Sequence, residues 1–353
     1  MAAKLILDYS QQSLPVRDPG HPGEARRTAT RLVGEIGFDE TDTSNVAIIV
    51  TELATNLLKH ATGGEILLRP IAHGAALGVE LIALDRGPGI ANLTQCFRDG
   101  YSSAGSSGNG LGAIARLAGD FDIYSMPGKG TAVLARVWPR CHTMENSHGI
   151  ELGIVSLPKP GEEVCGDGWQ CELLADKSLC FVADGLGHGS NAAVAAHEAV
   201  DVLTEYRGKT PAEIVERAHD ALRSTRGAAL AVAQIDHPQE TVRFCGVGNI
   251  AGAIVAGGRT RQMVSLNGTA GLEVRKITEF SYPWSSESTL IMHSDGLMTR
   301  WDLQLYPALA QRHPSLIAAM LYRDFNRNRD DVTVLVAKTA NSVAGRNMPW
   351  LTQ

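Results

Sequence analysis

Residues 182–189 read Val-Ala-Asp-Gly-Leu-Gly-His-Gly, and this stretch decides the fold of the second half of the chain. The apolar run 179–182 predicts a buried strand that ends just before the aspartate. Apolar residues at helical spacing follow from about 191 to 206. Asp184 therefore lies where a strand passes into a long helix, beside glycines that allow close backbone approach.

Three further aspartates lie near predicted strands. Asp167 follows a strand-like region, Asp295 ends another strand, and Asp330 begins the last one. No Cys or His occurs near them at metal-ligand spacing, so carboxylates alone favour hard octahedral cations such as Mg²⁺ or Mn²⁺. Packed carboxylates repel one another unless cations neutralise them. Two such ions can share a water, lower its pKa and align it on phosphorus.

Residues 183–189 (Ala-Asp-Gly-x-Gly-His-Gly), 294–296 (Ser-Asp-Gly) and 330–333 (Asp-Asp-x-Thr) resemble the metal-dependent PPM (type 2C) serine/threonine phosphatases, in particular their SpoIIE-like branch. The resemblance covers about 149–338 and implies a PPM-type αββα sandwich. It implies two Mn²⁺ or Mg²⁺ ions, with a ligand set of Asp167, Asp184, the Gly185 carbonyl, Asp295 and Asp330. It makes Asp331 the less favoured member of its pair. It also implies that His188 packs under the metal loop rather than serving as an acid.

Two further features bear on substrate binding and mechanism. No arginine occupies an obvious position for binding the substrate phosphate, so we expect protein–protein docking to select the substrate. The chain has 6 cysteines, and none lies in a CxxC pair. They indicate free thiols and disfavour a cysteine-phosphatase mechanism.

The first half of the chain carries several motifs, each of which is weak evidence of function when taken alone. Glu52 and Asn56 lie four residues apart in a helical pattern at 43–60, so both side chains leave the same face, away from the apolar stripe. A carboxylate there can take a proton or orient a water, and an amide oxygen can complete the shell of Mg²⁺. Asp85 follows a strand and can accept hydrogen bonds from an amino group of a purine.

Two glycine-rich stretches come next. Residues 108–112 (Gly-Asn-Gly-Leu-Gly) run into a predicted helix, whose free N–H groups favour phosphate. Residues 128–131 (Gly-Lys-Gly-Thr) open the last predicted strand of this half. Taken in order with residues 85–90 (Asp-Arg-Gly-Pro-Gly-Ile), these motifs resemble the GHKL ATPases over about 5–138. Within that superfamily they resemble the small bacterial serine kinases of sigma-factor partner-switching and stressosome systems.

That resemblance implies a Bergerat α/β sandwich that binds ATP and Mg²⁺, with Glu52 as the catalytic base. The implied nucleotide and Mg²⁺ site consists of Asn56, Asp85, Gly87, Gly89, Gly108, Gly110, Leu111, Gly112 and Thr131. Sensor histidine kinases need an upstream helical domain, for which too few residues precede Glu52. Gyrase, chaperone and mismatch-repair members need a transducer domain after the ATPase, and the second half of this chain does not resemble one.

The composition of the chain argues against several classes of protein. The 353 residues carry 32 Lys plus Arg against 38 Asp plus Glu, a net charge of -6. This acidic balance without a basic stripe disfavours nucleic-acid binding. No apolar run approaches the roughly 20 residues that cross a bilayer, and the N-terminus lacks the apolar core of a signal peptide. We therefore expect a cytoplasmic protein without a membrane partner.

The chain is expected to be α+β, with two domains. A polar run separates them, giving a GHKL ATP-binding, kinase-like domain at 1–140, a linker at 141–148, a PPM phosphatase domain at 149–340 and a tail at 341–353.

Together the halves predict a bifunctional partner-switching regulator, a serine/threonine kinase joined to a phosphatase. The resemblance implies STAS-domain antagonist or scaffold proteins as partners, and a sigma factor as a further candidate. Two alternatives stay open: a phosphatase regulated by a non-catalytic ATP- or sigma-factor-binding module, and a binding scaffold that has lost its chemistry.

Overall fold

The computed structural model describes residues 11–61, 63–74, 76–96, 110–140 and 149–340. These residues form two compact units, one within 11–140 and the other within 149–340. The predicted linker, the predicted tail and Gly108 lie outside the described residues. Across the described ranges, no helix combines the length and apolar character needed to cross a membrane.

The N-terminal unit is one antiparallel sheet covered by helices on one face. Its elements in chain order are β1 (Gln12–Val16), α1 (His21–Glu35), α2 (Glu40–His60), β2 (Gly64–His73), β3 (Ala76–Asp85), α3 (Leu93–Cys96), α4 (Gly110–Leu117), β4 (Asp120–Ser125) and β5 (Thr131–Val137). The strand order is β1-β2-β3-β5-β4. The predicted α/β layer is confirmed, with β1 as a strand that the sequence pattern did not indicate.

Helix α2 positions the first site, and its sequence accounts for its bounds. It begins after Asp39, whose carboxylate accepts a hydrogen bond from the Asp42 backbone N–H at 2.7 Å. Four residues of the predicted apolar stripe are buried in the core between helices and sheet, at Val46, Val50, Leu53 and Leu57, and the fifth, Leu58, is partly buried against it. Glu52 and Asn56 lie off this stripe and are only half-buried.

The C-terminal unit contains two packed sheets with helices outside them. Its elements are β6 (Ile150–Leu157), β7 (Asp167–Leu173), β8 (Lys177–Gly185), α5 (Ser190–Tyr206), α6 (Pro211–Ala221), β9 (Ala228–Asp236), β10 (Thr241–Val247), β11 (Ala251–Ala256), β12 (Arg259–Met263), β13 (Ser265–Leu266), β14 (Gly268–Thr269), β15 (Glu273–Val274), β16 (Phe280–Pro283), β17 (Thr289–His293), α7 (Pro314–Phe325) and β18 (Val332–Thr339). One sheet has the order β13-β10-β9-β8-β7 with β16 on β10, and the other has β12-β11-β17-β18-β6.

Strand β8 shows how the layers form. Leu179 and Phe181 face a core shared with α5 and α6, whereas Cys180 and Val182 face a core shared with the second sheet. Successive side chains of a strand point to opposite faces, so a strand buried on both faces is a continuous apolar run. The predicted αββα sandwich is confirmed.

Some elements of this unit were not predicted. Asp167 follows β6, as expected, and itself begins a further strand, β7. Helix α7, which packs on β6 and β18, was not predicted at all. Almost all of its residues are buried, the polar Ser315 and Arg323 included.

Candidate functional site

In the N-terminal unit, Glu52 and Asn56 face the first residue of α4. A Cβ placed on Gly110 would lie 2.6 Å from Glu52 Oε2 and 3.6 Å from Asn56 Oδ1. A side chain at Gly110 would displace the Glu52 carboxylate, so glycine lets the start of α4 approach both polar groups as they stand. The structure brings these three predicted residues together.

A second cluster surrounds Asp85 at the end of β3. Asp85 Oδ1 accepts hydrogen bonds from the Gly87 N–H at 2.7 Å and from the Thr131 N–H at 3.2 Å. Thr131 Oγ1 lies 2.9 Å from Ser125 Oγ, which also accepts from the Ile90 N–H at 2.8 Å. Ser125 thus links the loop after β3 to the start of β5. Sequence reasoning missed it, because nothing near it distinguishes this serine from a surface residue.

The two clusters lie along the same helix. A Cβ on Gly87 would be 2.7 Å from the His60 carbonyl oxygen at the end of α2, and His60 lies two turns beyond Glu52. Two turns of helix, eight residues, correspond to roughly 12 Å along the axis. A ligand with one end at Asp85 and the other at Glu52 would therefore be extended, as a nucleotide with its phosphates is.

The remaining glycines of this unit are placed less specifically. Gly89 has a φ of 69°, which a glycine adopts without strain. Gly112 is buried inside α4, and the Leu111 side chain packs against the core. Gly108 cannot be assigned a position, as it lies outside the described residues.

In the C-terminal unit, two of the predicted aspartates are paired by strand register. Asp167 of β7 lies opposite Asp184 of β8. Asp167 Oδ2 accepts a hydrogen bond from Ser294 Oγ at 2.7 Å, and Ser294 Oγ accepts one from the Thr333 N–H at 3.0 Å. Because Ser294 precedes Asp295 and Thr333 lies near the start of β18, this chain of bonds connects the two sheets at the site.

Three predicted aspartates line one cavity of about 550 Å³: Asp184, Asp295 and Asp330. Asp295 is oriented by Asn249, whose Nδ2 donates to Asp295 Oδ2 at 2.8 Å. Among the residues that the structure describes, no three acidic, histidine or cysteine side chains already form a closed cation site. The carboxylates instead surround an open space.

Asp331 is more deeply placed than its neighbour. It is 3% exposed, and its Oδ1 accepts a hydrogen bond from the Lys159 N–H at 2.9 Å. Asp330 faces the cavity and Asp331 lies behind it. The preference for Asp330 as ligand therefore remains a prediction, while Asp331 supports the loop that carries Lys159.

The electrostatics of this cluster are those of crowded carboxylates. Burial, together with the nearby Asp331 and Asp295, raises the pKa of Asp167 to about 7. Burial and the charges of Asp167, Asp295 and Asp330 raise the pKa of Asp184 to about 9. Crowding of this kind is relieved when cations are present.

The donor atoms fit a hard divalent cation. Two buried carboxylate oxygens, Asp167 Oδ1 and Asp331 Oδ2, have no hydrogen-bond partner among the described residues. All the side-chain donors are oxygens, which Mg²⁺ and Mn²⁺ prefer. Gly185 lies in the same turn, and its N–H donates to the Gly166 carbonyl at 3.1 Å. Its carbonyl as a further ligand stays a prediction.

The expectation for His188 was wrong. Its side chain is 48% exposed, lines the cavity, and places Nδ1 2.7 Å from Glu162 Oε1. A side chain exposed to this extent and paired with Glu162 does not pack under the loop. Asn249 and Lys159 were missed; Asn249 could have been noticed from its place after the glycines that end β10.

The cysteine prediction is confirmed within the described ranges. Cys96, Cys165, Cys171, Cys180 and Cys245 are free thiols. Burial raises the pKa of Cys165 well above its usual value and raises that of Cys245 to about 12. Such thiols are poor nucleophiles, which disfavours cysteine-phosphatase chemistry at these positions.

Comparison with known proteins matches each of the two units to a different family model. The family model for the histidine kinase-like ATPase domain matches residues 16–137, and that for Stage II sporulation protein E (SpoIIE) matches residues 175–340. Serine/threonine-protein kinase RsbT of Bacillus subtilis is 34% identical over 116 residues, 33% of this chain and 87% of RsbT. Phosphoserine phosphatase RsbX of the same organism is 29% identical over 154 residues, 43% of this chain and 77% of RsbX.

Two solved structures share the fold of the C-terminal unit. RsbX in complex with magnesium is 24% identical, with a TM-score of 0.50 over 56% of this chain and 99% of that chain. A structure described under the bacterial stressosome, as a modular system adapted to control secondary messenger signaling, is 26% identical with a TM-score of 0.51. It covers 54% of this chain and 99% of that chain. The chain thus belongs to the family of RsbT through its N-terminal histidine kinase-like ATPase domain, and it carries a SpoIIE-type PPM serine/threonine phosphatase domain as its C-terminal unit.

Proposed function

We propose that the chain is a bifunctional partner-switching regulator, which phosphorylates serine or threonine of STAS-domain proteins with one unit and removes the phosphate with the other. The observation that carries the proposal is the cavity lined by Asp184, Asp295 and Asp330, in a different unit from the Glu52–Asn56–Gly110 cluster. Two chemically distinct sites suit two opposed reactions.

In the phosphatase unit, the chain's own residues prepare an oxygen-lined space. Ser294 holds Asp167, Asn249 holds Asp295, and strand register sets Asp184 opposite Asp167. We propose Asp167, Asp184, the Gly185 carbonyl, Asp295 and Asp330 as ligands of Mn²⁺ or Mg²⁺. When bound, two such ions supply the charge that lowers the pKa of the attacking water and polarises the phosphate ester.

In the N-terminal unit, we propose that Asp85 binds the adenine amino group and that Glu52 takes the proton of the acceptor hydroxyl. The fixed Asp85 carboxylate, with two backbone N–H donors, suits the first role. The position of Glu52 against the first residue of α4 suits the second, because a helix start favours phosphate. Asn56 would complete the shell of the Mg²⁺ that accompanies ATP.

The names of the relatives support opposed reactions of the two units. RsbT is named as a serine/threonine-protein kinase and RsbX as a phosphoserine phosphatase. The description of one similar solved structure concerns the bacterial stressosome. Joining both activities in one chain raises their effective concentration around a shared partner. If both activities acted on the partner without regulation, they would only consume ATP. We therefore infer that the kinase and phosphatase activities are used reciprocally.

The test uses two single variants and a purified STAS-domain protein. Glu52→Ala is expected to lower transfer of labelled γ-phosphate to the partner by about 100-fold or more, since a general base contributes about 10²–10⁴. Phosphatase turnover of that variant should stay unchanged. Asp184→Asn is expected to give the converse result.

Each outcome discriminates between alternatives. If one variant abolishes both activities, the two-site proposal fails. If the wild-type chain binds ATP and dephosphorylates the partner but forms no phosphoprotein, the N-terminal unit is a regulatory module of the phosphatase. If it acts on neither form of the partner, STAS-domain proteins are not its substrates.

A further inference from the structure

Arg226 lies beside the metal loop, here defined as residues 185–189. The Leu186 N–H donates to the Gly227 carbonyl at 3.0 Å, which joins this loop to the segment before β9. A Cβ placed on Gly187 would be 3.1 Å from an Arg226 guanidinium nitrogen. Gly187 lines the same cavity as Asp184. The guanidinium group is therefore at the rim of the phosphatase cavity.

The backbone that carries Arg226 is held by its own hydrogen bonds. Thr225 Oγ1 donates to the Leu222 carbonyl at 2.8 Å and accepts from the Gly227 N–H at 3.0 Å. The Arg226 side chain is exposed, and no described carboxylate forms an ion pair with it. By contrast, Arg223 pairs with Asp220 at 3.2 Å. Arg226 is thus a cation on a fixed backbone segment, with no described ion pair, that can bind an anionic ligand.

A second cation is positioned at the same cavity. Lys159 lines it, and its backbone N–H is fixed by the bond of 2.9 Å to Asp331 Oδ1. Like Arg226, Lys159 forms no ion pair with any carboxylate in the part of the chain that the structure describes. The acidic cavity therefore has two basic side chains that the carboxylates do not neutralise by direct pairing.

The phosphorylated substrate supplies the negative charge with which Arg226 and Lys159 can pair. A phosphoserine carries about 1.5 to 2 negative charges at neutral pH. A cavity lined by carboxylates opposes its entry, whereas a guanidinium group binds phosphate oxygens through two parallel hydrogen bonds and an ammonium group attracts them as a point charge. Resting on the phosphatase activity proposed above, we infer that Arg226 and Lys159 bind the phosphate of the phosphoseryl substrate at the mouth of the cavity.

The experiment compares substrate binding with turnover. Hydrolysis of p-nitrophenyl phosphate and of a phosphoseryl peptide is measured with Mn²⁺ for the full chain and for Arg226→Ala, Lys159→Ala and Arg226→Lys. Each alanine variant should raise KM for both substrates about tenfold, with kcat within about threefold, because a charge-assisted bond to the ground state is lost. Arg226→Lys should give an intermediate KM, because lysine keeps the positive charge but cannot form the two parallel hydrogen bonds of a guanidinium group. Arg223→Ala is the matched control and should equal the wild type.

A binding measurement completes the test. Titration calorimetry with inorganic phosphate should give a Kd about tenfold weaker for each alanine variant, while circular dichroism and the Mn²⁺-induced rise in melting temperature stay as in the wild type. An unchanged KM and Kd in either alanine variant overturns the inference. So does a KM that rises for the peptide alone, because the side chain would then contact protein and not phosphate. If the wild type hydrolyses no phosphoserine, the proposed function fails, and calorimetry still decides the phosphate site.

Discussion

At the scale of single residues, Glu80 is a fully buried carboxylate bound by two arginines. It lies on β3, directly opposite Arg69 of β2 and Arg136 of β5. Glu80 Oε1 is 2.7 Å from Arg69 Nε, and Oε2 is 2.8 Å from Arg136 Nη2. Each oxygen has its own guanidinium partner, so the three charges form a satisfied network within the sheet.

Glu80→Gln is expected to lower the free energy of unfolding of the N-terminal unit by about 3–5 kcal/mol, because it leaves buried arginines uncompensated. Urea unfolding of the full chain, followed by hydrogen exchange of peptides from β2, β3 and β5, measures this. The control is Glu35→Gln, which removes an exposed pair with Arg31 and should cost less than about 1 kcal/mol. Equal effects of the two variants would contradict a stabilising role of the buried network.

The crowded carboxylates of the phosphatase cavity predict a pH dependence. The pKa of Asp184 is raised to about 9 and that of Asp167 to about 7, above the value of about 3.9 for an unfolded aspartate. The folded state therefore binds more protons than the unfolded state between these values. The stability that these groups contribute is complete below about pH 4 and is lost as the pH rises towards 9.

Thermal unfolding in EDTA is the measurement. Between pH 6 and pH 8.5, the wild type is expected to lose more melting temperature than Asp184→Asn, which has no titrating carboxyl at this position. Mn²⁺ should stabilise the wild type more at pH 8.5 than at pH 6, because ligand carboxylates must be deprotonated. Identical pH profiles of wild type and variant would show that Asp184 is ionised in the metal-free protein.

At the scale of elements, strand β6 and helix α7 approach each other at a glycine. A Cβ on Gly153 would overlap the carbonyl carbon of Pro314 and the backbone nitrogen of Ser315 at the start of α7. Gly153 lies opposite Val336 of β18, in the sheet that α7 covers. The absence of a side chain at this position sets the distance between helix and sheet.

Gly153→Ala should therefore displace α7 and destabilise the C-terminal unit by about 1–3 kcal/mol, as overpacking does. Gly208→Ala is the matched control, because a Cβ there meets no atom within 4 Å. Denaturant unfolding of both variants tests this. A Gly153→Ala chain as stable as the control would mean that α7 can shift without loss of packing.

At the scale of the whole molecule, the two sites lie in separate compact units, and their ligands should act separately. ADP is expected to slow hydrogen exchange in peptides covering α2, α4 and the end of β3. Mn²⁺ should do so in peptides covering 166–189 and 293–297, because ligand binding suppresses local opening. Asp85→Ala should abolish only the first effect and Asp184→Asn only the second. Loss of both effects in either variant would argue against independent sites.

Much of this architecture was predictable, because it depends on local patterns. The apolar stripe of α2 and the apolar run of β8 specify a helix and a buried strand whatever surrounds them. The order of the short acidic and glycine motifs identified both domain families. Helix α7 was not predicted, and its packing on β6 and β18 is a tertiary contact that a local pattern does not record.

By itself, the sequence determined the periodic elements and the residue types of the sites, because side-chain spacing on a helix or strand follows from backbone geometry alone. The tertiary structure decided which residues meet. Sheet register set Asp167 against Asp184 and Glu80 between two arginines, and loop packing brought Arg226 to the rim of the cavity. These contacts join segments far apart in the chain, where no local spacing records which groups will be neighbours.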